Sequence, residues 1–149
     1  MPERDRLPAV LIVDDNRSVA DSLVLVLQNN GFQASASYSA QEALSTADRQ
    51  QPDVAVIEVV LPDLDGIRLA RRIQVLSSRT HILLMSGCPD AARLVETCEF
   101  EVLAKPIALE KLMAKMREMI ATGCERNHER HAAREAADLV KGGALISFH

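Results

Sequence analysis

Several things are scarce or missing in this chain, and each absence narrows its function. No apolar run approaches the roughly 20 residues a membrane-spanning helix needs. The amino-terminal MPERDRLPAVLIVDD holds an apolar run too short for a secretory leader and is closed off by acids, which points to a cytoplasmic protein. Lysine and arginine are not clustered, the net charge is −4, and no basic recognition helix is present, which argues against a DNA-binding surface. Cysteine is rare: Cys88, Cys98 and Cys124 are an odd number without metal-ligand pairing, so free thiols are expected. Cys124, His128 and His131 could share one side of a helix, but a structural zinc site wants a fourth ligand. A solvated helix face is the simpler reading there.

What is present fits one soluble domain. The chain has 149 residues, 48% of them hydrophobic, and a mean hydropathy of +0.01. AVLIV (9–13) is a continuous apolar run of the kind buried on both faces of a sheet. A helical pattern follows from Asn16, with Val19, Leu23, Val26 and Leu27 on one face, and stops at Asn30-Gly31. FQASASY (32–38) alternates as a second strand. Ser39 and Glu42 form a capping box for a helix reaching about Gln50. VAVIEV after Pro52 is a third strand, Gly66 leads into a helix through about Leu76, and HILLMS (81–86) is a fourth strand. PDAARLVE (89–96) reads as a short helix and FEVLA (100–104) as a fifth strand. The last helix is expected to start at Pro106, with Leu109, Leu112, Met113, Met116 and Ile120 on its inner face up to Gly123. Five strands alternating with five helices predict an α/β fold with a doubly wound parallel sheet.

After Gly123 the character changes. The last 27 residues carry four basic and four acidic residues, mostly alanine at apolar positions, and a Gly142-Gly143 pair before ALISF. An extra helix or partly disordered tail over 122–149 is expected beside a domain over 7–121, and 27 residues are too few for an output domain of their own.

In wound parallel sheets the chemistry sits at the carboxyl ends of the strands. Those ends supply Asp14 and Asp15, Glu58, Ser86 and Lys105 in turn. Clustered carboxylates attract a hard divalent cation such as Mg²⁺, and a hydroxyl and an ammonium opposite them suit a phosphoryl group. The alternative for Lys105 is a plain structural salt bridge to the acids. Asp63 and Asp65 are expected as turn formers and a helix N-cap, and His81 as a strand-end histidine without a phosphate-carrying role.

VLIVDDN, LPDLDG, SG and KP, in this order, resemble the receiver domain of two-component response regulators over roughly residues 7–121. The resemblance implies a flavodoxin-like (βα)5 fold of strand order 2-1-3-4-5. It implies Mg²⁺ at Asp14 and Asp15 together with the acid at position 58, Ser86 and Lys105 as phosphate-facing residues, and Pro106 as a candidate for a cis peptide. The phosphoacceptor position is occupied by Glu58, where the family has aspartate. One added methylene carries the carboxylate outward by about 1.5 Å, and misplacing a reacting atom by about 1 Å can cost on the order of a hundredfold in rate. A glutamate there weakly resembles the phosphorylated state. The family's aromatic switch residue is replaced by Val102, with Phe100 on the same strand face two residues earlier. The segment from Ser86 to Lys105 is also shorter than the family's.

These departures point to an atypical single-domain regulator, a non-enzymatic pseudo-receiver of two-component or phosphorelay signalling. It is expected to act through protein–protein contacts of the short helix, the fifth strand and the last helix, as a monomer or homodimer. The expected partners are a histidine kinase, a phosphotransfer protein or another regulator, and magnesium binding is expected to be weak. One alternative keeps Glu58 as a slow phosphoacceptor in a phosphorelay. Another is a magnesium-dependent phosphatase of the dehalogenase type, which wants Asp-x-Asp where this chain has Asp14-Asp15-Asn16. A flavin or nucleotide binder would want a glycine- or hydroxyl-rich loop after the first strand instead of two acids.

Overall fold

A computed structural model describes residues 6–87 and 99–122. It places five strands in one parallel sheet: β1 (Ala9–Val13), β2 (Gln33–Ser37), β3 (Val54–Glu58), β4 (His81–Ser86) and β5 (Glu101–Ala104), in the order β2-β1-β3-β4-β5. Between them run α1 (Arg17–Gln28), α2 (Ala40–Gln50) and α3 (Gly66–Leu76), and α4 covers 109–122. The wound parallel sheet is therefore the one the apolar runs predict. The short helix expected at 89–96, two cysteines and the tail from 123 onward lie outside the described residues.

Strand alternation builds two cores at once, because successive side chains leave opposite faces. Leu11, Val13, Ala55, Ile57, Ile82 and Leu84 face α2 and α3, which answer with Ala43, Ala47, Leu69 and Ile73. Val10, Ile12, Val54, Val56, Leu83 and Met85 face α1 and α4, meeting Ala20, Leu27, Leu112 and Met116. The methionine stripe of the last helix is thus core. On α1 Ala20 and Leu27 are buried, Leu23 and Val24 pack half-buried beside them, and the expected Val19 and Val26 are half-buried as well.

Local signals position the ends of these elements. Asn16 caps α1 by accepting from the Val19 N–H, and Ser39 caps α2 by accepting from the Glu42 N–H. The returning carboxylate of Glu42 accepts from the Tyr38 N–H, so this capping box closes one residue earlier than the usual pattern. At the turn from α3 into β4, the Ser77 and Thr80 hydroxyls share a buried hydrogen bond of 2.6 Å, and Thr80 donates onward to the Pro52 carbonyl at 2.6 Å. At the amino-terminal end of the sheet, Asp53 accepts from the Ala9 N–H at 2.8 Å and pairs with Arg79. That latch fixes the edge opposite the candidate site.

The last helix does not begin at Pro106. The Lys105–Pro106 peptide is cis, as the resemblance implies, and the helix starts at residue 109. The loop across 105–108 turns the chain away from β5 before α4 can form.

Gly66, the first residue of α3, lies directly under the end of β3. A Cβ there would stand 2.2 Å from the Glu58 carbonyl oxygen and 2.8 Å from the Val59 Cα. Both are backbone atoms, so neither can step aside cheaply, while the Gly66 N–H donates to the Val59 carbonyl at 2.8 Å. Gly66→Ala is expected to cost about 3 kcal/mol, the upper part of the overpacking range. Urea unfolding of the variant, with the amide shift of Glu58 as a local reporter, measures it.

Candidate functional site

The carboxyl ends of β1, β3 and β5 converge on one ammonium group. Glu58 ends β3 on the parity of Val54 and Val56, and Asp14 continues the parity of Val10 and Ile12 just past β1. Lys105 lies two residues beyond Leu103, which packs on the same α1–α4 side. The Lys105 Nζ donates to the Asp14 Oδ2 at 2.8 Å and stands 2.5 Å from the Glu58 Oε2. The contact with Asp14 is an aligned hydrogen bond. The contact with Glu58 is an ion pair by distance, and Oε2 has no aligned hydrogen-bond donor.

Burial makes the arrangement matter. Asp14 and Glu58 are buried, at 1% and 7% exposure, and the lysine is the charge that compensates them. The remaining oxygens are partly used. Asp14 Oδ1 accepts from the Asn16 N–H at 3.0 Å, and Glu58 Oε1 is a long 3.5 Å from the Val60 N–H. Burial alone would pull the Lys105 ammonium down. The hydrogen bond to Asp14 and the close negative charges of Asp14 and Glu58 outweigh that and raise it above the ordinary lysine value.

The other predicted residues take different places. Asp15 is exposed. Ser86, buried at the end of β4, falls on the parity of Ile82 and Leu84, the α2–α3 side. Val102 pairs in register with Leu84 and packs with Phe100 against that same core, so the two share a face as the alternation predicts. Gly87 and Pro106 border a cavity of about 720 Å³, together with Lys105 and the first turns of α1. His81 opens β4, half-buried, its N–H donating to the Asp53 carbonyl.

A magnesium ion needs several oxygens at about 2.0–2.1 Å in near-octahedral order. Among the described residues no three His, Cys, Asp or Glu side chains come together as a metal site. Lys105 stands against one oxygen of each of the two buried carboxylates, and Asp15 is exposed.

Asp65 caps α3, accepting from the Ile67 N–H at 2.8 Å, as the turn chemistry predicts. Asp63 caps a different helix. Its two carboxylate oxygens accept from the Ala40 and Gln41 N–H groups, at 3.0 and 3.1 Å, at the start of α2. The loop after β3 is therefore tied to both α2 and α3. No spacing in the sequence announces this link, because residues 63 and 40 meet only through the fold.

The family model for the response regulator receiver domain matches residues 10–117. This chain belongs to that family. Among curated relatives of this receiver is the response regulator MprA of Mycobacterium avium (strain 104), 29% identical over 134 residues, which are 88% of this chain and 59% of the relative. The chain thus spans about three-fifths of the length of that relative. Among solved structures, a CheY-like receiver domain protein from Methanospirillum hungatei superimposes with a TM-score of 0.73 at 21% identity, covering 81% of this chain and 99% of that one. The response regulator protein TrrA from Thermotoga maritima, solved in complex with Mg(2+)-BeF, gives 0.67 at 20% identity, with 76% and 99% covered. Both likenesses establish the receiver fold.

Two outcomes follow from the local geometry. Lys105→Met should destabilise the receiver by about 3 kcal/mol, because it leaves two buried carboxylates uncompensated. The raised lysine value sets the pH window: the contribution is complete below the ordinary lysine value of about 10.4 and fades as pH rises through the higher folded value. Urea midpoints of wild type and variant should therefore converge in strong alkali. Asp63→Asn should lower the melting temperature and speed amide exchange at Ala40 and Gln41. Its backbone hydrogen bonds lower the Asp63 value, so its contribution stands above the ordinary aspartate range and is lost as pH falls through the lower folded value.

Proposed function

We propose that this receiver signals by protein–protein contact without taking a phosphoryl group of its own. The observation that carries the reading is the Glu58 carboxylate, buried at the end of β3 and 2.5 Å from the Lys105 ammonium. An acceptor must approach phosphorus in line, and the longer side chain has already closed the distance to the lysine that would otherwise meet the phosphoryl oxygens. Replacing aspartate by glutamate leaves the charge count of the site unchanged: two buried carboxylates and one ammonium in either case. Glu58 therefore mimics the modified state by reach and not by added charge, and the mimicry is partial.

The second support is Val102. Its branched side chain packs half-buried beside Phe100, and it has no ring to rotate between two positions. A fixed rim and a strand without an aromatic switch suit a protein read in one conformation. The reading surface proposed is the exposed edge of β5 with α4, and the chemistry of partners is that of two-component signalling: a histidine kinase, a phosphotransfer protein or another regulator. Magnesium is a weak ligand at most in this reading.

Incubation with Mg²⁺ and a small phosphodonor, followed by intact mass measurement, tests it. No gain of a phosphoryl mass is expected for the wild type, and Glu58→Asp is expected to recover partial labelling. Stoichiometric labelling of the wild type at Glu58 would favour the rival reading, a slow acceptor in a phosphorelay.

A further inference from the structure

The disagreement between the family's metal chemistry and this chain's rim has its own consequence. We infer that Lys105 is the resident cation of the site, its ammonium taking the place between Asp14 and Glu58 that a divalent ion would need. The folded receiver is then complete without magnesium.

The oxygens decide it. Both Asp14 oxygens are engaged, Oδ2 by the Lys105 ammonium and Oδ1 by the Asn16 N–H. Glu58 gives Oε2 to the same ammonium. Asp15 is exposed, and among the described residues no three such side chains gather as a metal site. A magnesium ion entering here would have to displace the lysine from both carboxylates and shed tightly held water. In return it would gain two carboxylates already neutralised in part. Removing the lysine reverses the balance, leaving two adjacent buried carboxylates that repel each other until a cation arrives.

The position of Lys105 is fixed from several sides. Its N–H donates to the Ser86 carbonyl at 2.8 Å, and its stem borders Gly87. The ammonium is therefore delivered by the backbone as well as attracted by charge.

This inference builds on the phosphorylation-independent reading of the same site, and the two fail separately. Mn²⁺ serves as the probe, followed by paramagnetic broadening of amide signals around Asp14 and Glu58, without any phosphodonor. Wild type is expected to show no site-specific broadening at millimolar metal, whereas Lys105→Met should show broadening centred on the two acids and regain thermal stability on adding metal. Glu58→Asp provides a second route, because the shorter side chain withdraws from the ammonium; it too should gain broadening. Metal binding by the wild type at the rim would overturn the inference while leaving the mass test untouched. It would equally be overturned if neither folded variant bound metal more tightly than wild type.

Discussion

One ammonium group closes the functional end of this sheet. Lys105 links the end of β5 to those of β1 and β3, skipping β4 between them, and it does so with charge where the rest of the sheet uses backbone hydrogen bonds. Two carboxylates buried this deeply repel each other and are poorly solvated, so their presence depends on a partner that compensates both. The opposite end of the sheet needs no such device, because Asp53 meets a backbone donor and a half-exposed arginine there.

Much of the fold was legible because strands buried on both faces must be written in continuous apolar residues. AVLIV, VAVIE and HILLMS could be little else, and Ser39 and Asp65 begin helices as their side chains dictate. Proline suits the first turn of a helix, yet the last helix starts three residues further on, at 109, so a residue that can begin a helix does not by itself mark where one begins. The α1 stripe was assigned from large aliphatic residues, whereas the space against β1 admits Ala20, whose small size hides it from a search for bulky side chains.

The site was legible in its list of residues and less so in its geometry. Strand-end position brought Asp14, Glu58 and Lys105 forward together, and they meet. Asp15 follows Asp14 in sequence, yet adjacent residues leave a strand in different directions, and one is buried while the other faces solvent. The Asp63 link to α2 and the Asp53 link to Arg79 could not be foreseen, since each joins residues more than twenty positions apart through a single side chain.

The Asp63 link gives the molecule a mechanical property. Because that carboxylate holds the first amides of α2 and Asp65 holds those of α3, the segment from β3 into α3 cannot shift without dragging the helix beside it. Two neighbouring helices and the loop that leaves the buried acid are thus held together by two short carboxylate side chains.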